Sequence, residues 1–397
     1  MNLGRLALRN IAGSAFRSCV IALSALVVAG LALSTTLLVG GAQSSLRLAL
    51  ERLGADILVV PKGAQGRVET ALLMGKPVSV WMPEENLARI ASVPGVAVAS
   101  PQVYLASLAN AACCSASEMF VVVYDPQTDF TLTPWLKGKL GHGLRLGEVI
   151  GGSLVFTPEG EQNIKLYGYF LTLVGNLEAT GTGLDQTMFL TSETAHDVAR
   201  ISVSRAEKPL VIPAQSISAV LIQVAPGANP GEVAQRIARE VPGVSAIEGA
   251  GLFRDYREQI SALSALMAPV LATTLALAMV AIVLVFSLAA NERRREVGVL
   301  RALGASRGFV LQSLLAEAGI LALAGGVAGI ALAGPGTMLF RHFIIMSLGM
   351  PFALPSAGSL LARIGEGLLL ALASVTLAAL FPALRSSRQD PAVAMRE

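Results

Sequence analysis

Four apolar runs, each long enough to cross a lipid bilayer, limit what this 397-residue chain can fold into more than any other feature. A hydrocarbon core about 30 Å thick takes about 20 apolar residues in a helix. The first run, Cys19 to Gly41, reads CVIALSALVVAGLALSTTLLVGG, and the second, Leu266 to Ala290, reads LMAPVLATTLALAMVAIVLVFSLAA. A third extends from about Val310 to Gly334 and a fourth from about Ile364 to Leu384. The first run is too long for a signal-peptide core and lacks a clear A-x-A site after it, so it is expected to stay as a span. Composition agrees: only 14% of the residues are charged, against about 25% in ordinary soluble domains. A net charge of +3 with no Lys/Arg tract argues against nucleic acid as a partner.

The basic residues orient the spans, because cytoplasmic flanks collect Lys and Arg. Arg5, Arg9 and Arg17 precede the first span, and Arg293, Arg294, Arg295, Arg301 and Arg307 fill the short loop between the second and third. Arg385, Arg388 and Arg396 follow the fourth, whereas the loop from Pro335 to about Leu361 holds only Arg341. Both termini and the middle loop are therefore expected inside, and the large domain between the first two spans outside. The expected fold is an α-helical membrane protein with four transmembrane helices and a large α+β extracytoplasmic domain inserted between helices 1 and 2.

The outer domain, about Ala42 to Ser261, reads as alternating strands and helices. Asp56–Val60 is a strand ended by Pro61 and Gly63. Pro83-Glu84-Glu85 opens a helix through Ile90, and Val96 to Val103 is the next strand. The same order returns with a strand at 217–224, a helix capped at Asn229-Pro230-Gly231-Glu232, and a strand from Val244. Arg89-Ile90-Ala91 before Val93-Pro94-Gly95-Val96 is echoed by Arg236-Ile237-Ala238 before Val241-Pro242-Gly243-Val244. Two related β-α-β units, about 55–105 and 217–250, are expected to pair into one small sheet. Between them, about 106–213, lies an insertion expected to be mainly β, with strands at Phe120–Tyr124, Leu154–Thr157, Phe170–Val174 and Met188–Thr191. Gln43 to Leu53 and Leu252 to Ser264 have no Gly or Pro inside. They are expected to continue the first two spans as helical stalks.

The loop after the second span carries the most specific signal. It reads Asn291-Glu292-Arg293-Arg294-Arg295-Glu296-Val297-Gly298-Val299-Leu300-Arg301-Ala302-Leu303-Gly304-Ala305-Ser306, and Glu317 follows in the third span. Val297, Leu300 and Leu303 share one side of a short helix that Gly304 can stop. The string matches every defined place of E-R-x-x-E-I/V-G-I/L/V-x-R-A-x-G-A-S/T and resembles the signature of the FtsX-like permease family, which includes the MacB and LolC/LolE types. Leu8-Arg9-Asn10 resembles the family's N-terminal amphipathic helix, and Phe381-Pro382-Ala383-Leu384-Arg385 with Asp390-Pro391-Ala392 resembles its closing sequence. The layout of one span, a large outer domain and three further spans covers the whole chain.

That resemblance implies a permease subunit of an ABC transporter, working as a homodimer or with a related permease above two cytoplasmic ATPase subunits. The helix after the second span would be the coupling helix, with Glu296, Arg301, Ala302, Leu303, Gly304 and Ala305 in contact with the ATPase. The sequence contains no G-x-x-x-x-G-K-S/T loop, so ATP and Mg are expected on a separate chain, and no cofactor in this one. By family analogy, ATP-driven movement of the stalks would export or extract an amphiphilic substrate. Against a proton or ion route, the spans lack buried acidic residues beyond Glu317 and the peripheral Glu366. Ala324-Gly325-Gly326, Gly329 and Gly334 permit close helix packing.

Two features fall outside the pattern. Ala111-Ala112-Cys113-Cys114-Ser115 offers a vicinal cysteine pair, with Met119 as the one soft neighbour and no C-x-x-C or nearby His to complete a site. Such a pair is a strained disulfide, a soft-metal or haem ligand, or a plain structural pair. His342 and Met346 share one helical face in the outer loop, a possible haem-ligand arrangement that would make haem a substrate. The alternative there is an interfacial helix with adaptable Met side chains.

The expected organisation is 1–18 N-terminal amphipathic helix, 19–42 first span, 43–265 outer domain with stalks, and 266–290 second span. Then follow 291–309 coupling loop, 310–334 third span, 335–361 outer loop, 362–385 fourth span and 386–397 tail. The setting is a bacterial-type cytoplasmic membrane. The competing function is a transmembrane regulator whose ATP-driven motion activates an envelope partner enzyme. A membrane-anchored enzyme fares worst, since the three His (His142, His196, His342) join no Ser-His-Asp or metal-spaced cluster.

Overall fold

A computed structural model describes residues 10–11, 13–108, 114, 118–157, 163–249, 251–292, 298–299, 301, 304–339, 352–353, 355 and 357–387. These fall into two compact units, one drawing on Met1–Gly40, Gln259–His342 and Pro355–Glu397, the other on Gly41–Glu258 and Phe343–Leu354.

Among the described residues, four helices are long and apolar enough to cross a membrane. They are α1 (Ala15–Leu53), α7 (Arg254–Glu292), α8 (Arg307–Leu339) and α9 (Ala357–Ser387). The core of the membrane unit takes small and branched residues from all four: Ile21, Ala25 and Ala29, then Ile282 and Phe286, Ala318 and Ala322, and Ala371, Val375 and Ala379. Small residues dominate because lipid tails are as apolar as Leu, so close backbone approach rather than water exclusion holds membrane helices together. Gly325 and Gly329 of α8 show this. A Cβ at Gly325 would strike the backbone of Ala22, and one at Gly329 the backbone of Leu26. The order of these contacts, 22 with 325 and 26 with 329, makes α1 and α8 parallel. A Cβ at Gly319 would meet Leu372, and one at Gly326 would meet Leu368, so α9 runs antiparallel to α8. Spans one and three therefore run in the same direction, as an even count of alternating crossings requires.

In the outer unit the chain order is β1 (Ile57–Pro61), α2 (Gln65–Met74), β2 (Met82–Pro83), α3 (Glu85–Ala91), β3 (Val96–Ala106), β4 (Phe120–Tyr124), α4 (Thr133–Leu140) and β5 (Glu148–Gly151). It continues with β6 (Asn163–Leu166), β7 (Tyr169–Asn176), a 3-10 turn (Gly183–Gln186), β8 (Met188–Thr191) and α5 (Ser192–Arg205). The last elements are β9 (Ser216–Ile217), β10 (Ala219–Val224), α6 (Pro230–Glu240) and β11 (Val244–Glu248). Among the described residues nine strands form one mixed sheet, in the order β11-β1-β10-β3-β4-β8-β5-β7-β6, with β2 and β9 paired separately.

The two β-α-β units interleave at one end of this sheet. β10 lies between β1 and β3, and β1 between β11 and β10, all antiparallel. Their helices share a core: Ile90 of α3 and Val233 and Ile237 of α6 pack with Ile57, Val220 and Ile222. Asn229 caps α6 by accepting from the Gly231 amide at 2.9 Å, with Pro230 in the first turn.

The sheet is larger than the sequence suggests, because β3 extends to Ala106 and pairs along its length with β4. The insertion thus continues the same sheet rather than forming a second one, and it carries α4 and α5 as well as strands. Leu154–Thr157 is not a strand. The Leu154 amide donates to the Asp185 carbonyl at 2.8 Å and the Val155 amide to the Gly152 carbonyl at 3.1 Å, which turns the chain back. Gly151-Gly152 permits this tight approach; a Cβ at Gly152 would collide with the backbone of Leu184 and Asp185.

Both stalk segments are helical and continuous with their spans. α1 ends where Gly54 (φ +58°) donates its amide to the Leu50 carbonyl at 3.1 Å. α7 starts after Phe253 (φ +62°), whose amide donates to the Glu69 carboxylate of α2. An acidic group from another segment therefore sits at the positive end of this helix.

Candidate coupling site

The segment that joins α7 to α8 carries the sequence signature, and the described part of it is built for a sharp change of direction. Gly298, Val299 and Arg301 are helical. The Gly304 amide donates to the Arg301 carbonyl at 3.1 Å, and Gly304 adopts φ +97°, a conformation that costs a residue with a Cβ roughly 1–2 kcal/mol. Ser306 then starts α8: its hydroxyl accepts from the Phe309 amide at 3.1 Å, and its carbonyl from the Val310 amide at 3.3 Å. Gly304 and Ser306 are exposed, Arg301 and Ala305 half-buried. Of the six residues expected at the coupling contact, Arg301, Gly304 and Ala305 are described, and Glu296, Ala302 and Leu303 lie outside the described residues.

Behind this turn, α8 is anchored to α1 by charge. Glu317, wholly buried, forms an ion pair with Arg17, which is 8% exposed. Serines hold the start of α1 nearby: Ser14 Oγ donates to the Asn10 carbonyl at 3.0 Å and Ser18 Oγ to the Ile11 carbonyl at 3.1 Å. The closing motif lies in the last turns of α9, with Pro382 and Ala383 buried and Ser386 Oγ donating to the Pro382 carbonyl at 3.0 Å. Since α9 is antiparallel to α8, these turns share the end of the unit where Arg17 and Ser306 lie. Arg17 and Glu317 were visible in the sequence as a flanking charge and a pattern residue; their partnership was not. An acidic residue inside the third apolar run and a basic one just before the first were the available signal.

The soft residues gather less. Cys114 Sγ accepts from the Tyr167 amide at 3.4 Å and packs, with Met119, on the apolar cluster around Val121, Ile164 and Leu171. Cys113, His342 and Met346 lie outside the described residues. Among the described residues no group of three or more His, Cys, Asp or Glu is placed to hold a metal. Among the described residues the site is a turn closed at Gly304, with the buried Arg17–Glu317 ion pair further along α8.

A polytopic helical membrane protein, with a large outer domain after its first span and a charged turn between its second and third, is the class this architecture defines. Residues 270–391 match the family described as FtsX-like permease C-terminal. Relatives include the macrolide export ATP-binding/permease protein MacB of Hyphomonas neptunium, 30% identical over 149 residues, 37% of this chain and 21% of that protein. MacB of Syntrophobacter fumaroxidans is 31% identical over 153 residues, 36% and 20%; MacB of Neisseria gonorrhoeae is 39% identical over 54 residues, 14% and 8%. The chain thus spans about a fifth or less of the length of these relatives. Among solved structures, the periplasmic region of MacB from Actinobacillus actinomycetemcomitans aligns at TM-score 0.35 and 7% identity, over 51% of this chain and 94% of that one. The extracellular domain of the ABC-type transporter YknZ from Gram-positive bacteria aligns at TM-score 0.28 and 12% identity, over 49% and 99%. The likeness to FtsX-like permeases is thus carried by the C-terminal part of the chain, residues 270–391.

Proposed function

We propose that this chain is the membrane-spanning subunit of an ABC transporter, that a separate ATPase chain pushes on the turn at Arg301–Ala305, and that the stalks carry the movement to the outer domain. The observation that carries this is the E-R-R-R-E-V-G-V-L-R-A-L-G-A-S string, inside the matched region and at the head of α8. Force applied at Gly304 and Ser306 enters α8 directly, and through Glu317 and Arg17 it enters α1, which continues to Leu53 without a helix break. α7 offers a second path, from Glu292 to Arg254. ATP and Mg belong to the ATPase chain; haem enters only as a candidate substrate.

The substrate class is amphiphilic (lipoprotein, peptide, drug or haem), extracted or exported beside the outer domain, and the permease works as a dimer in the inner membrane with both termini cytoplasmic. The test is ATP hydrolysis by the purified complex in lipid nanodiscs, assayed with lipids, haem and peptides. One of these is expected to raise the rate. If none does and an envelope hydrolase changes it instead, the chain is a regulator rather than a transporter.

A further inference from the structure

The loop between the third and fourth spans does something a simple connection need not do. Phe352 is buried, and its amide donates to the Gly181 carbonyl at 2.9 Å, while the Ala353 amide donates to the Gly41 carbonyl at 3.3 Å. The slot that receives Phe352 exists because both facing residues lack a Cβ. One added to Gly41 would lie 2.5 Å from Phe352 Cε2, 2.7 Å from Cδ2 and 3.0 Å from the Ala353 carbonyl. One added to Gly181 would strike the Phe352 carbonyl, and Gly181 also holds φ +70°.

The turn around Gly181 is itself rigidly held. Buried Asp185 accepts from the Thr180 amide at 2.7 Å and hydroxyl at 3.0 Å through Oδ1, and from the Gly181 amide at 2.7 Å through Oδ2. The Thr180 and Thr182 hydroxyls meet at 2.7 Å. The same turn grips the outer part of α1, since Ser45 Oγ donates to the Gly181 carbonyl at 3.4 Å and Arg52 to the Glu178 carbonyl at 3.1 Å. A buried carboxylate satisfied by three donors holds this turn rigidly in one conformation. Phe352 rests on it.

We propose that Phe352 is a positioning residue that locks the outer loop between the third and fourth spans onto the outer domain, through the slot between Gly41 and Gly181, so that loop, domain and the outer part of α1 move as one body. The chain passes between the two units at four places, after Gly40, Glu258, His342 and Leu354. With the lock in place all four crossings act on the domain, where a free loop would leave two. On the permease reading, the third and fourth spans then also drive the outer domain.

Hydrogen exchange of the full chain in nanodiscs tests this. Amides 352–353 and those of 178–187 are expected to be protected. Phe352→Ala, which empties the slot, and Gly41→Val, which expels the ring, should each speed exchange at both segments about tenfold or more. The β10 amides, protected by the sheet, serve as the control for folding and should not change. The double variant Gly41→Val with Phe352→Ala refills the slot with the valine methyls and should slow exchange at 178–187 again, which general loosening would not do. Unchanged exchange at 178–187 in Phe352→Ala, or a double variant as fast as either single, overturns the proposal. With the ATPase bound, ATP and vanadate should change exchange at 41–53 and 352–353 together in the native chain and separately in Phe352→Ala. A native chain that does not respond to ATP contradicts the permease reading instead, while the nucleotide-free exchange still decides the lock.

Discussion

Arg17 on α1 and Glu317 on α8 form an ion pair that is almost wholly removed from solvent, three hundred positions apart in sequence and at the same end of the membrane unit. Burying two charges is tolerable only when each has its partner, and removing one partner of such a pair typically costs about 3–5 kcal/mol because the other charge is left stranded. Arg17→Ala and Glu317→Gln should each lower the melting temperature of the purified protein by several degrees or abolish insertion. The exchanged pair Arg17→Glu with Glu317→Arg should recover a large part of the loss. A thermal melt of the three variants in one detergent checks this; single variants as stable as the native chain contradict it.

The crossing of α1 and α8 depends on Gly325 and Gly329, where backbones touch. Gly329→Leu should force the two helices apart and expose the pair at Arg17. A thermal melt of the purified protein checks this: Gly329→Leu should melt several degrees below the native chain, and an unchanged melt contradicts it.

Asp185 holds the turn that holds Phe352, through three donors from Thr180 and Gly181. Hydrogen bonds to a charged group contribute about 1.5–3 kcal/mol each before relaxation. Asp185→Asn replaces one accepting oxygen with an amide donor that faces another donor. It should destabilise the outer unit by several kcal/mol, read as a lower melting temperature of the full chain and faster exchange at 178–187.

Glu69 makes stability depend on pH in an unusual direction for a carboxylate. Burial, together with the charge of Asp255, pushes its pKa above the ordinary value of 4.5, against the lowering effect of donors from Gln65 and the Phe253 amide. The folded protein thus keeps this proton to higher pH than the unfolded chain does. Stability falls as pH rises from 4.5 through the folded pKa, and the penalty is complete above it. Glu69→Gln should flatten that slope between mildly acidic and neutral pH, seen as a smaller change in melting temperature across the same range. A slope unchanged by the substitution contradicts the assignment.

The architecture was legible wherever the sequence carried a period or a local stop signal. Runs such as Leu266–Ala290 are helices because lipid leaves no alternative for the backbone, and Asn229-Pro230 marked the start of α6 through its own cap. The repeated Val-Pro-Gly-Val marked two β-α-β units that pair in one sheet, since each stop is local, whereas the interleaving of their strands depends on distant pairing. What was not legible lies between distant residues. Nothing near Ala106 says that β3 pairs onward with β4, so the single nine-stranded sheet was missed. Nothing beside Leu154 shows that Asp185 will turn it away from a strand. At the candidate site, Gly304 was readable as a helix stop, whereas the ion pair between residues 17 and 317 required the helices to be packed first. The slot for Phe352 was hidden for the same reason, because Gly41 reads as one more small residue at the end of a span until an aromatic ring is seen against it.

The central claim is that the turn after the second span receives the push of an ATPase. The most direct measurement is ATP hydrolysis by the complex isolated with its native ATPase chain, comparing the native permease with Arg301→Glu and Gly304→Val. Both substitutions alter an exposed or half-buried turn outside the packed core. The account predicts that the ATPase is lost from the complex, or that its rate falls about tenfold, equivalent to about 1.4 kcal/mol, with the permease still folded by thermal melt. An ATPase that stays fully bound and fully active in both variants would contradict it.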